Sequence, residues 1–320
     1  MIDTSQATNQ KEKVKIITDQ LEKGIKELMS SEKYMDYLNK MSKLHNYSFR
    51  NTVLILMQHP DATMVASLTT WNKEFKRSVN KGEKGITILA PCRYKKYADR
   101  FVYDDNGDIR KDNDGVPITK RELVESLTFK PTYVFDASQT HGEPIPQIAV
   151  TELTGNVENY EKIVEAIKSV SPVEISFEKY NSNAKGFYSN EEKKIVIKEG
   201  MSEAQTLKTM LHEVTHSMLH DNDYLKKNGE EKDRTTKEVE AESTAYAVSS
   251  YLGLDTSEYS FGYISSWAGE QKIDAVKDSM ETIRKTADEL ITAIERQLHP
   301  ELTAERTESQ QHSQSRALAV

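Results

Sequence analysis

The 320-residue chain has one cysteine, Cys92, so no internal disulfide can form. That excludes a disulfide-stapled secreted scaffold and fits a reducing, cytoplasmic setting. Long hydrophobic runs are missing as well. The longest, Val53–Met57, falls far short of the ~20 residues that span a bilayer. The stretch Met1–Lys15 is polar and has no apolar export core, so neither a leader nor a membrane partner is expected. Glycine (13) and proline (8) are too sparse for a collagenous chain, which leaves each of them readable as a local breaker. A net charge of −8 excludes a uniformly basic nucleic-acid binder.

What is present is 37% hydrophobic and 29% charged residues with a mean hydropathy of −0.68, the balance of a water-soluble globular protein. At this length two domains can each bury a core. The charge is unevenly placed. Lys73, Lys76, Arg77, Lys81, Lys84, Arg93, Lys95, Lys96 and Arg100 face only three acidic residues in segment 73–100, which is +6 and leaves −14 for the rest. Trp71, Phe75, Tyr94, Tyr97, Phe101 and Tyr103 interleave with these cations. A basic groove with aromatic faces is what holds a single strand, although any one aromatic, Trp71 included, can equally belong to a core.

Apolar steps of three and four predict helices over 10–29, from Ser30 or Ser31 through Leu44, and from Ser48 to the breaker Pro60. Ile86–Ala90 reads as a short strand stopped by Pro91, with strand-like pieces at 93–97, 100–103 and 132–136. The polar excursion 104–115 lacks the spacing of an EF-hand loop and reads as exposed turn. His141–Pro146 has the breakers of a linker, which places a boundary near 150. Beyond it come a helix over 157–170, a strand over 173–177, a hairpin around Asn190–Lys193, and a helix starting after Ser202. A polar loop over 221–236, a helix over 237–252 closed by Gly253, a helical piece over 263–268 and a long helix from Ile273 to Leu298 follow. Residues 300–320 read as a disordered tail.

The helix after Ser202 carries His212-Glu213-Val214-Thr215-His216, an H-E-x-x-H motif. Two imidazoles four residues apart share a helix face and suit one tetrahedral zinc, with Glu213 beside the metal as the base that takes a proton from water. A catalytic zinc takes a third protein ligand. On the next helix Glu238 and Glu242 share a face and Glu240 lies about 200° away. Glu242 is the first choice, with Glu238 as an outer partner or the substitute ligand. His220 continues the row, but three histidines on one straight helix span ~12 Å and cannot bind one ion, which leaves His220 structural or at the cleft rim.

These residues, followed by small residues and Tyr251-Leu252-Gly253-Leu254, resemble the zincin-like metallopeptidase domain of ArdC-type antirestriction proteins and related polyvalent mobile-element proteins. Upstream, Tyr47-Ser48-Phe49-Arg50-Asn51, Gln58-His59-Pro60-Asp61-Ala62-Thr63, Trp71, Lys81-Gly82-Glu83-Lys84-Gly85-Ile86 and Val134-Phe135-Asp136-Ala137-Ser138-Gln139-Thr140 resemble the ArdC-like N-terminal single-stranded-DNA-binding domain. The resemblance spans roughly 10–295. It implies an α+β fold: an α+β nucleic-acid-binding module over 1–150, then a zincin-like metallopeptidase domain over 151–299 with a small sheet. In the family pattern Glu242 stands at the third-ligand glutamate. The expected function is a zinc peptidase that binds single-stranded DNA through Trp71, Lys73, Lys76, Arg77, Lys81, Lys84, Arg93, Lys95 and Lys96 and acts on an unidentified protein substrate, with Tyr246 as an oxyanion donor. The alternatives are a DNA-coating protein with a structural metal, or a protease that cuts a host repressor or restriction component.

Overall fold

The computed structural model describes residues 2, 5–104, 106–145 and 157–298. The boundary expected at 150 and the tail expected over 300–320 lie outside these residues. The first three predicted helices form: α1 (Gln10–Leu28), α2 (Ser31–Lys43) and α3 (Phe49–Gln58). Asn9 caps α1 by accepting the Glu12 N–H, and Ser48 caps α3 by accepting the Asn51 N–H. Each buries one apolar stripe, with Ile17, Leu21 and Ile25 of α1 inside.

After β1 (Val65–Ala66), α4 (Leu68–Lys73) and β2 (Arg77–Val79) come two long strands, β3 (Ile86–Phe101) and β4 (Thr119–Asp136). They pair antiparallel without a break from Ile86↔Val134 to Phe101↔Thr119. The short strand expected to stop at Pro91 and the separate pieces beyond it are therefore one element. The sheet order is β1-β4-β3, so β3 is an edge strand, and an edge tolerates proline where no ladder bond is lost. Only the base of this ribbon is covered, by Ile86, Ile88 and Val134 packing on Leu44, Ile55, Ala62 and Val65. β5 (Thr140–Gly142) then pairs with β2. In the turn at the ribbon's far end, the carboxylates of Asp104 and Asp112 each accept backbone N–H groups two and four residues on, as the exposed-turn reading requires.

The second half begins with α5 (Val157–Val170) and a three-stranded sheet of β6 (Glu174–Glu178), β7 (Gly186–Ser189) and β8 (Lys194–Lys198), ordered β6-β8-β7. β7 and β8 form the expected hairpin, and β6 runs parallel to β8. Then follow α6 (Glu203–Leu219), α7 (Asn222–Asn228), α8 (Arg234–Tyr251), α9 (Ile264–Glu270) and α10 (Ile273–Leu298). The loop expected over 221–236 contains α7. Asp221 accepts the N–H groups of Asp223 and Tyr224, and Gly229 closes the helix at φ +65°, so caps made a helix of a polar stretch that lacks an apolar stripe. Among the described residues no helix is long and apolar enough to cross a membrane.

The main core is continuous across the sequence. Ile17, Leu21, Ile25, Tyr34, Leu38 and Phe49 lie in one cluster with Ile163, Ile195, Met210, Val214, Tyr246, Ile283 and Leu290. Tyr34 Oη and Ser243 Oγ are 2.8 Å apart inside it. The N-terminal helices thus form part of the floor under α8, which carries the candidate glutamates.

Candidate metal centre and nucleic-acid interface

Helix α6 presents His212 and His216 on the face turned to α8, and the fully buried Ala241 and Ala245 admit no bulk between α8 and its neighbours. The two Nε2 atoms are 3.1 Å apart. Glu238 Oε2 lies 3.6 Å from His212 Nε2 and 3.7 Å from His216 Nε2. A tetrahedral ion held at 2.0–2.1 Å places its ligand atoms about 3.3 Å from each other, so this triplet has the spacing of three vertices. The chemistry agrees. Burial and neighbouring His216 push the His212 imidazole down to about 4, which leaves it neutral with a free lone pair at pH 7. A hydrogen bond with His216 holds the Glu238 carboxyl below its ordinary value.

The carboxylate grouped with the two imidazoles is Glu238, and the expected Glu242 is not in that group. One turn further along α8, Glu242 accepts the Tyr263 hydroxyl, and burial together with the charge of Glu238 raises its carboxyl above the ordinary value. Tyr246, the expected oxyanion donor, is not in that group either. It stands two turns beyond Glu238, ~12 Å along the axis, is 5% exposed, and packs edge-on against Tyr259 and Phe261. It is a core side chain.

Glu213 sits beside the triplet, as its place in the motif requires. Burial raises its carboxyl above the ordinary value, while His216 and the Tyr188 backbone N–H oppose the rise. That N–H comes from β7, which lies close on α6 because Gly186 has no side chain: a Cβ there would meet Thr209 Cγ2 at 2.7 Å. The sequence reading missed Tyr180, whose buried hydroxyl has no hydrogen-bond partner and whose ionisation is raised by burial and then by Glu213. His220, expected to be structural or at the cleft rim, and Glu240, expected on the far side of α8, are both buried and meet, with His220 Nε2 2.9 Å from Glu240 Oε2. No local motif marks Tyr180 or the His220–Glu240 pair, since Tyr180 is 33 positions from Glu213 and His220 is 20 from Glu240.

The basic segment divides by neighbourhood. Trp71 is fully buried, its Nε1–H donates to the Phe135 carbonyl at 2.8 Å and its ring packs on Phe75, so it offers no face to a base. Arg77 donates to Thr140 Oγ1 and to the carbonyls of Thr140 and Glu143, clamping β2 to β5, which removes it from the free cations. Lys76 pairs at 3.8 Å with Glu143. Lys73, Lys81 and Lys84 are exposed near the ribbon's base, and Arg93, Lys95 and Lys96 are exposed on the ribbon itself.

Paired residues of an antiparallel ladder share a face. The register therefore puts Tyr97, Phe101, Leu123, Leu127, Phe129 and Tyr133 together on one side, each 42–63% exposed. Arg93, Lys95 and Arg121 stand among them, with the Arg121 guanidinium 5.2 Å from the centre of the Tyr97 ring. The other side carries Tyr94, Lys96, Arg100, Lys120 and Lys130.

Residues 7–135 match the family model "N-terminal domain of anti-restriction factor ArdC", and residues 133–289 match the model "Putative metallopeptidase family (DUF6782)". An uncharacterised protein of Bacillus anthracis is 30% identical over 342 residues, covering 95% of this chain and 54% of that protein. The chain thus spans about half the length of the curated relative it matches. The metal-free crystal structure of the antirestriction protein ArdC from plasmid R388 aligns at 20% identity over 78% of this chain and 85% of that one, TM-score 0.46. The Mn(II)-bound structure of that protein aligns at 21% identity over 79% and 84%, TM-score 0.42. Along the chain, an ArdC N-terminal-domain match thus runs directly into a match to a putative metallopeptidase family.

Proposed function

We propose that the protein is a zinc-dependent peptidase that also binds single-stranded DNA, an antirestriction-type protein of a mobile element acting on a protein partner in the cytoplasm. The observation that carries the reading is the triplet His212, His216 and Glu238 at tetrahedral spacing with Glu213 beside it. Two imidazoles and a carboxylate are a zinc donor set, and three protein donors leave a fourth position for water and substrate, whereas a structural site closes it. When bound, zinc would polarise the scissile carbonyl and make a water acidic at neutral pH.

The chain's own groups supply the rest. Glu213, whose carboxyl burial raises above its ordinary value, accepts the proton of the attacking water and passes it to the departing amine. Tyr180, with a buried hydroxyl that has no partner and lies in the field of Glu213, replaces Tyr246 as the hydroxyl available to an oxyanion. For DNA, the aromatic side of the ribbon offers stacking platforms at Tyr97, Phe101, Phe129 and Tyr133, with Arg93, Lys95 and Arg121 within reach of phosphates.

The test is the full chain with Glu213→Gln, assayed for bound zinc and for hydrolysis of an unfolded protein such as casein. Zinc content should stay at one per chain while cleavage is abolished. Undiminished cleavage in the variant would remove Glu213 from the mechanism, and absence of zinc from the purified wild-type protein under zinc-replete conditions would remove the metal.

A further inference from the structure

The metal-facing histidine His216 has a second ring nitrogen, and it is not left to water. His216 Nδ1 lies 2.9 Å from His220 Nδ1, and His220 Nε2 lies 2.9 Å from Glu240 Oε2. Lys232 Nζ closes the row, 2.9 Å and 3.2 Å from the two Glu240 oxygens. The row is shut off from solvent: the side chains of His220, Glu240 and Lys232 are 3%, 0% and 15% exposed.

The order of protons along it follows from what each group can do. Lys232 only donates, so Glu240 beside it is an ionised carboxylate that only accepts. His220 must then carry its hydrogen on Nε2 to donate to Glu240. A neutral imidazole with hydrogen on Nε2 has a bare Nδ1, which can only accept. The partner of that bare nitrogen is His216 Nδ1, which therefore carries the hydrogen and leaves His216 Nε2 with its lone pair directed at His212 and Glu238.

We propose that His220 and Glu240, anchored by Lys232, are positioning residues that fix His216 as its Nδ1–H tautomer and hold its Nε2 lone pair toward the metal centre. The proposal goes beyond the peptidase reading and rests on it in taking Nε2 of His216 as a ligand atom. It gives a role to a third histidine that continues the H-E-x-x-H row without being able to share its ion, and to the one glutamate of the α8 trio that points away from the centre. Metal-bound histidines commonly donate their second N–H to a carboxylate or carbonyl, and loss of such a partner costs roughly 10–100-fold in metal affinity. Here the acceptor is a second histidine, itself oriented by a buried ion pair.

Two measurements on the full chain test this. The first uses metal-free wild-type protein with 15N-labelled histidines, so it does not depend on metal binding or hydrolysis. His216 should carry its proton on Nδ1 and His220 on Nε2. The Nε2–H form of His216, which an unconstrained neutral imidazole favours, would overturn the proposal. The second compares His220→Asn with His220→Gln by zinc affinity in chelator competition. An asparagine amide reaches the place of the imidazole Nδ1 and preserves an acceptor for His216, whereas glutamine reaches the place of Nε2 and preserves only the Glu240 contact. The proposal expects His220→Asn to stay within about threefold of wild type and His220→Gln to lose roughly 10–100-fold. Glutamine equal to or better than asparagine is the result expected of a space-filling residue, and it would overturn the positioning role.

Discussion

At the scale of single residues, Glu238 and Glu242 are four positions apart on one helix face, and only their neighbours separate them. Tyr263 donates to Glu242, while two imidazoles hold the Glu238 carboxyl low. Glu238→Gln should therefore lose bound zinc, and Glu242→Gln should keep it at one per chain, as read by elemental analysis of gel-filtered protein. Zinc retained in Glu238→Gln would return the ligand role to Glu242. His212, Glu213 and His216 were legible in the sequence because their chemistry lies within one helical turn and a residue. Which glutamate stands beside them was not, since helical periodicity brings both to the same face and only the fold brings Tyr263, 21 residues on, to Glu242. The same limit applies to Tyr246: its spacing along α8 does not show that its ring packs against Tyr259 and Phe261.

At the scale of elements, the ribbon and the β7–α6 junction each carry an expectation. The ribbon runs ~50 Å at ~3.3 Å per residue and exposes an aromatic stripe that a monomeric soluble protein rarely leaves bare. Tyr97→Ala should weaken binding of a single-stranded oligonucleotide by about 5–150-fold, the ~1–3 kcal/mol of one stacked base, and binding should fall as salt rises. Trp71→Phe should leave that affinity unchanged and lower the melting temperature instead, because the indole is buried and its N–H bond to Phe135 is lost. Fluorescence anisotropy and thermal melts of the two variants distinguish these outcomes.

At the junction, Tyr188 and Lys193 both donate to Asp221 and tie the hairpin to the end of α6. Burial opposes ionisation of Asp221, but Lys193 and Tyr188 outweigh it and hold the carboxyl well below its ordinary value. A group depressed in the folded state contributes stability above its unfolded pKa of ~3.9 and loses it as pH falls through the folded value. Asp221→Asn should therefore melt at a lower temperature than wild type at pH 6, with the gap closing as pH drops below ~4. A constant gap across that range would show that the contribution is not ionic.

At the scale of the molecule, the core ignores the boundary that composition suggests. Ile17, Leu21 and Ile25 of α1 and Leu38 of α2 pack in the same cluster as Val239, Ile283 and Leu290. A fragment of residues 157–320 made alone should accordingly expose apolar surface, bind a hydrophobic dye and lack a cooperative melt, and co-expression with residues 1–156 should restore both solubility and zinc binding. A cooperatively folded, zinc-loaded 157–320 fragment would show that α1–α3 are dispensable cover.

Periodicity, caps and breakers determined the helices, the hairpin and the face on which the two ligand histidines stand, because these depend on residues within a few positions of one another. The proline at 91 misled in the same local terms: it forbids a central strand, and only the sheet order shows β3 to be an edge. Tertiary structure alone decided which carboxylate joins the histidines, that Trp71 is core, that exposed aromatics line up on one side of a long ribbon, and that His220 is joined to Glu240. Each of these is a meeting between segments distant in the chain, settled by which surfaces pack together.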